Sequence, residues 1–458
     1  MKIDMKRNRL SLFTFLIFVV TSITLFIYLN RVQPYYFIDE VFHIPQTQRY
    51  CDGNFTSWDP KITTLPGVYL ITTIFLAPFG FCNETIFIRS TNLIATFLNF
   101  FLISSICRLK NSQDSLINLV SSYNIVLFPP LFFWFFLYYT DVFSVTMILA
   151  VNLLHLQGRI KSSALAGVVS VIVRQTNIIW VALIGIEEVL NFLELKAEKS
   201  LSGDVRNSSK HLQWLLDTIN VQVRRGLLSF LKFSMEILSA LTPYIIVGIL
   251  FLAFIVWNGD IVVGDRTAHV PTIHVPQLFY FFAFTFCFAW PYMLAYLKAF
   301  LCDSLEHWIV SSFIFSLLVV IIHSNTLVHP YVLADNRHYV FYVWNYFMGR
   351  YSYFKYLPIP FYCFCFYAFF KCLKNMRFLS RILFFICTCV VLVPQLLLEP
   401  RYFIIPYIIF RLNLQNIRPW QIALETLTMF LINFVQFYIF VSKVFYWKDQ
   451  EYPQRISW

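Results

Sequence analysis

Glycine is scarce in this sequence, at 12 of 458 residues, and charge is scarcer than in soluble proteins, with Asp, Glu, Lys and Arg together at 13%. Little glycine excludes a collagen-like chain, and little charge excludes an intrinsically disordered one, which needs charge in place of apolar side chains. No Gly-rich phosphate loop, nucleophile elbow or dinucleotide fingerprint occurs, so nucleotide hydrolysis and serine chemistry have no support. Metal-binding spacing is missing as well. Cys363 and Cys365, like Cys387 and Cys389, stand one residue apart, and the ten cysteines lie mostly in apolar stretches, so they read as buried thiols. His269 and His274 flank Pro271 without the i, i+4 spacing of a zinc pair, and no metal is expected.

What the chain has instead is apolar bulk: 59% hydrophobic residues, including 52 Phe, 26 Tyr and 11 Trp. That composition places it in a membrane as an all-α polytopic protein. The net charge of +11 sits in short basic runs between apolar spans, which suits cytosolic loops facing anionic headgroups better than nucleic acid. Lys2, Lys6, Arg7 and Arg9 precede an apolar run over 10–29, a first transmembrane helix with its N-terminus in the cytosol rather than a cleaved signal peptide. Further spans are expected near 84–107, 115–137, 142–156, 162–190, 236–257, 278–299, 308–327, 339–348, 357–370, 382–398, 402–410 and 422–444. Broken or doubled helices put the total at roughly eleven to fourteen. The stretch 65–79, bracketed by Pro66 and Pro78, reads as re-entrant or interfacial. The chain is expected to be one domain over 1–458, with a large first loop at 30–64 and a basic, partly flexible cytosolic loop at 195–225 that includes Lys196, Lys199 and Lys210.

Assigning the basic loops to the cytosol puts the other polar clusters on the opposite face. These are Asp39-Glu40 with His43, Tyr138-Tyr139-Thr140-Asp141, Arg174-Gln175-Thr176-Asn177, Gly264-Asp265-Arg266 with His269 and His274, Asp335-Asn336-Arg337-His338-Tyr339, and Glu399-Pro400-Arg401-Tyr402. Placing Arg174 there requires 162–190 to be a pair of short helices; the side of the C-terminus stays open. Ionisable groups at membrane depth are costly unless paired or wet, so six clusters on one face suggest a water-accessible cavity. A carboxylate at Asp39 or Glu40, just beyond the first helix, could take a proton from a sugar hydroxyl, or it could cap the next helix. Arg337, His338 and Arg401 could hold a phosphate, although an Arg at a helix end also snorkels to headgroups. His43, Arg174, Asp265 and Arg266 complete the candidate substrate-binding set. Of three N-x-S/T sequons, Asn54 lies opposite the cytosol, Asn207 is expected to be cytosolic, and Asn83 is left unassigned.

The block Tyr36-Phe37-Ile38-Asp39-Glu40-Val41-Phe42-His43-Ile44-Pro45-Gln46, with Gln48-Arg49-Tyr50-Cys51, Trp58-Asp59-Pro60 and Ile62-Thr63-Thr64-Leu65-Pro66-Gly67, resembles the dolichyl-phosphate-glucose-dependent α-1,2-glucosyltransferases of the endoplasmic reticulum. Stretches 137–141, 174–180, 264–281, 329–342 and 401–413 resemble the rest of that family in order, covering nearly the whole chain. The resemblance implies a GT-C-like glycosyltransferase fold with a catalytic carboxylate in the first luminal loop. It implies a dolichyl β-D-glucosyl phosphate donor, a diglucosylated lipid-linked acceptor, inversion to a terminal α-1,2 linkage and no cofactor. Asp39 is favoured over Glu40 because related families place an aspartate first in this motif. A secondary transporter with a midplane polar site is the alternative, but the paired, repeated broken helices it needs are not evident.

Overall fold

The computed structural model describes residues 2–111, 115–197, 201–266, 271–448 and 450–458; His269 and Lys199 lie outside these. Its elements are helices apart from one short two-stranded ribbon among the described residues. The membrane helix α1 (Lys2–Val32) is followed by α2 (Glu40–Cys51) and α3 (Gly67–Leu76), then by α4 (Thr85–Lys110), α5 (Ser115–Val126) and α6 (Pro129–Trp134). Next come α7 (Thr140–Leu156), α8 (Ile160–Val173), α9 (Asn177–Lys196), α10 (Gly203–Asn207) and α11 (Lys210–Arg224). The remainder holds α12 (Leu227–Asn258), α13 (Pro276–Met293), α14 (Leu297–Glu306), α15 (Trp308–Asn325), α16 (Pro330–Ala334) and α17 (Tyr339–Val343), and then α18 (Ile359–Cys372), α19 (Phe378–Leu392), α20 (Ile404–Leu412) and α21 (Pro419–Ser442).

Among the described residues, six helical stretches are long and apolar enough to cross a membrane: Leu10–Val32, Thr85–Lys110, Leu227–Asn258, Pro276–Glu306, Trp308–Asn325 and Pro419–Ser442. Their outward faces carry large apolar side chains such as Trp308, Phe313 and Val320, a surface suited to hydrocarbon. The chain is therefore an all-α polytopic membrane protein, with fewer full-length spans than the sequence suggests. The stretch 115–137 breaks at Pro129; 339–348 is one short helix and a wide turn; 402–410 is a 3₁₀ turn leading into the nine-residue, largely buried α20. Apolar runs alone do not reveal these breaks, which proline and local backbone turns impose. Within 195–225 the described residues include a fifteen-residue amphipathic helix, α11, where a partly flexible loop was expected.

The region 162–190 is a pair of helices, α8 and α9, and the joint between them shapes the site. Arg174 is extended at the end of α8, while the buried Asn177 donates to the Ser170 carbonyl and Oγ, both at 3.0 Å, and accepts from Ser144 Oγ at 2.9 Å. One amide thus satisfies groups left open at a helix end. Gly67 lies so close to this end of α8 that a Cβ would stand 2.6 Å from the Ile172 oxygen and the Val173 nitrogen. That contact sets α3 against α8. Around the joint, α7 packs on α4 and α8, α9 on α12, and α13 on α18 and α21. At another point in the bundle, Arg411 on α20 grips Glu425 on α21 at 2.6 and 2.7 Å, with Tyr292 and Asn124 also bonded to Glu425.

Cys51 and Cys82 form a disulfide that ties the end of α2 to the turn before α4, so these two are not the free thiols expected. Their separation of 31 residues, spread over two elements, carries no sequence signature.

Candidate active site

Two adjacent acids at the start of α2 have opposite surroundings. Glu40 is fully buried. Its Oε1 accepts from Arg89 Nε at 2.9 Å and the Tyr138 N–H at 2.7 Å; its Oε2 accepts from Arg89 Nη2 at 2.6 Å and the Phe37 N–H at 2.9 Å. Four donors occupy the four strong acceptor positions of a carboxylate. Arg89 in turn donates to Asn30 Oδ1 and to the carbonyls of Gln33 and Tyr35, so this pair knits α1, α2, α4 and the turn before α7 together. The sequence reading missed Arg89; a lone Arg inside an apolar span was the available signal.

Asp39 is held differently. The preceding Ile38 has φ +47°, in the left-handed region that β-branched residues avoid, at a cost of about 1–3 kcal/mol. Its neighbours enforce that turn: Tyr139 Oη donates to the Phe37 carbonyl at 3.0 Å and accepts from the Asp39 N–H at 3.2 Å. The strain turns the Asp39 side chain away from Glu40's cage, leaving it 32% exposed. Asp39 Oδ2 accepts from Arg401 Nη1 at 2.9 Å, and among the described residues its other oxygen accepts no side-chain hydrogen bond. Burial pushes the Asp39 carboxyl up, but Arg401 and His43 outweigh it and hold the group below the usual carboxylate range. Asp39 is therefore ionised at neutral pH.

Arg401 is the hub of the cluster. It donates to Glu399 Oε2 at 3.1 and 2.8 Å, lies 3.8 Å from Asp141 Oδ2, and sits over the rings of Trp134 and Tyr139 at 5.5 and 5.3 Å. Asp141, at the start of α7, also bonds Arg174, whose guanidinium lies 5.8 Å from the Tyr402 ring centre. His43 Nδ1 is 2.6 Å from Tyr69 Oη, and burial lowers its pKa, which favours the neutral ring. Three carboxylates and two guanidiniums thus converge from α2, α7, the α8–α9 joint and the turn before α20.

The other sequence candidates divide. His338 is close enough for its charge to act on Asp39, whereas Arg337 is clasped by Asp335 at 2.6 and 2.9 Å and lies 4.5 Å from the Trp447 ring centre. Among the described residues, neither Asp265 nor Arg266 bonds a member of the cluster. The Asp265 N–H donates to the Pro60 carbonyl at 2.7 Å, and Arg266 reaches the Asn258 carbonyl and Asp260 at the end of α12. Gly264 permits that docking: its φ is +69°, and a Cβ would stand 2.5 Å from the carbonyl oxygens of Pro60 and Ile62. This segment braces the first loop. His274 is buried, and its backbone N–H donates to the Val393 carbonyl at 2.8 Å.

Residues 33–412 match the model of the DIE2/ALG10 family. The chain belongs to that family. It is 37% identical over 466 residues to the human protein named Dol-P-Glc:Glc(2)Man(9)GlcNAc(2)-PP-Dol alpha-1,2-glucosyltransferase, covering 96% of each chain. A Drosophila melanogaster protein of the same name is 37% identical over 448 residues, covering 96% of this chain and 97% of its own. One from Arabidopsis thaliana is 31% identical over 497 residues, covering 94% and 96%. No solved structure matches. The family match contains Asp39, Arg89, Asp141, Arg174 and Arg401 and ends at Leu412, the last residue of α20.

Proposed function

We propose that the chain transfers glucose from dolichyl β-glucosyl phosphate to the diglucosylated, dolichol-diphosphate-linked oligosaccharide, making its terminal α-1,2 linkage. The near full-length likeness to proteins of that name supports the activity. The Asp39–Arg401 pair supports the chemistry. In the proposed step the Asp39 carboxylate takes the proton of the acceptor's 2-hydroxyl as that oxygen attacks the anomeric carbon. The bond from that carbon to the phosphate oxygen breaks on the opposite face, and dolichyl phosphate leaves with the electron pair. One displacement turns a β-glucosyl phosphate into an α-glucoside, which requires one base and no glycosyl-enzyme intermediate.

The saturation of Glu40 favours Asp39 as the base, and Glu40 serves as the anchor that fixes its neighbour. Arg401 orients the base and supplies the nearest cation for the departing phosphate, with His338 on the same face. Arg337, already paired with Asp335, supports the segment that carries His338. The GT-C-like architecture is part of this proposal. So is a luminal site in the endoplasmic reticulum, which the Cys51–Cys82 disulfide favours, since disulfides persist in oxidising compartments, as does the clustering of Lys and Arg in other loops.

Purified protein in lipid vesicles, given dolichyl-phosphate-glucose and the diglucosylated lipid-linked acceptor, is expected to add one hexose to the acceptor, read by mass spectrometry. No added hexose with wild-type protein would refute the activity. A fully active Asp39→Asn protein would refute the assigned base.

A further inference from the structure

Beyond α21 the chain folds back over the end of the molecule that carries Asp39. Strand β1 (Val444–Phe445) pairs antiparallel with β2 (Gln454–Arg455), and residues through Trp458 continue across the 335–339 segment. Arg455 anchors this return. Only 7% exposed, it donates to the Phe440 and Val441 carbonyls at 2.8 and 2.9 Å, to the Val32 carbonyl at 3.0 Å and to Gln33 Oε1 at 3.1 Å. A guanidinium placed among carbonyls at the ends of α1 and α21 satisfies groups that helix ends leave open. Because α1 ends beside the Asp39 loop, the 454–458 segment lies on the same face as the proposed active site.

From that anchor the segment grips the backbone around His338. The Ser457 N–H donates to the Arg337 carbonyl at 2.7 Å, the Tyr339 N–H to the Ser457 carbonyl at 3.3 Å, and Arg337 Nη1 to Gln454 Oε1 at 3.3 Å. His338 Nδ1 is 2.8 Å from a main-chain oxygen of Trp458, and the Trp458 ring packs on Tyr339 at 5.2 Å. That oxygen only accepts, so Nδ1 is the donor there; Nε2 lies 3.8 Å from Asp335 Oδ2 and can meet an anionic phosphate only as a second N–H donor. The local helices give little independent support: α16 and α17 have five residues each, one buried residue in the first and none in the second. Pieces that short do not hold a conformation alone. The 454–458 segment supplies the missing constraint.

We propose that residues 454–458 form a positioning strap for the donor, with Arg455 and Ser457 fixing the His338 ring so that an Nε2–H donor is presented to the donor phosphate. This rests on the reading of His338 as a phosphate partner, and the test separates the two. In full-length protein, Ser457→Pro removes the N–H that holds the Arg337 carbonyl. It is expected to raise KM for dolichyl-phosphate-glucose about tenfold, the scale of one hydrogen bond to a charged group, while acceptor KM stays within about twofold. In a His338→Ala background the same change is expected to add nothing, because the two substitutions remove one contact. Glu451→Ala, at an exposed position before the strap, is the control expected to leave both constants unchanged.

A Ser457→Pro protein with unchanged donor KM, when His338→Ala raises it, overturns the strap and leaves the His338 reading standing. An unchanged donor KM in His338→Ala overturns the reading beneath it. Equal rises in donor and acceptor KM mark a merely structural role and also overturn the strap. Should Ser457→Pro fail to fold, Arg455→Gln decides with the same readout. Glutamine keeps two donors near the helix-end carbonyls but cannot bridge all four acceptors.

Discussion

Asp39 and Glu40 are neighbours in sequence, and each meets an arginine, yet the two pairs differ in every respect that matters for catalysis. Glu40 and Arg89 are closed: both are buried, and every strong acceptor position of the carboxylate is filled. Asp39 and Arg401 are open: the carboxylate is one-third exposed, and one oxygen is free of side-chain donors among the described residues. A carboxylate with no spare lone pair cannot accept a substrate proton without breaking a bond it already has. The closed pair holds the geometry, and the open pair faces the chemistry. The strained turn at Ile38 separates them.

The largest expected effect lies on the open side. Asp39→Asn keeps the shape but removes the base, and a positioned base contributes ~10²–10⁴-fold in rate. Turnover should fall by that factor with Tm unchanged. On the closed side, Arg89→Ala strands Glu40 as a buried, unpaired charge and is expected to cost about 3–5 kcal/mol of stability. Thermal unfolding in detergent should register that loss. If Asp39→Asn lowers Tm as much as Arg89→Ala does, the contrast between the two pairs is broken.

The Arg401 contact can be weighed through pH. Arg401 and His43 depress the Asp39 pKa against the opposing effect of burial, so the ionised base persists as pH falls and is lost only below the usual carboxylate range. Arg401→Gln removes the larger of those two depressing charges. The acid limb of kcat/KM is then expected to move to higher pH, with activity lost earlier on acidification. A limb that stays in place would assign Arg401 to phosphate binding alone.

The same contrast shows what could be read from sequence. The acidic pair beyond the first helix, the Asp141 and Arg174 clusters and Arg401 all announced themselves as polar groups interrupting apolar stretches. The structure draws those clusters together through the break between α8 and α9, which placing Arg174 on that face required. Which acid is closed was not legible, because Arg89 lies 49 residues away from Glu40. The Cys51–Cys82 bond and the return of 454–458 were hidden for the same reason: each joins distant segments without a local pattern. Asp265 and Arg266 carry no such sequence signal of where they lie: the Asp265 N–H bonds the first loop and its carboxylate is near Lys61, while Arg266 reaches the end of α12.

The smallest expected effect sharpens the comparison at its edge. Arg266 is half exposed, and its nearest carboxylate, Asp260, is 3.9 Å away and similarly exposed. Exposed pairs of this kind contribute about 0–1 kcal/mol, and nothing in this one reaches the Asp39–Arg401 cluster. Arg266→Ala is therefore expected to leave Tm unchanged and both substrate KM values within about twofold of wild type, despite its place among the polar clusters the sequence singles out. A large rise in donor KM in this variant would mean that the 260–266 turn moves onto the donor during turnover. The open pair would then gain a second cation that its resting geometry does not include.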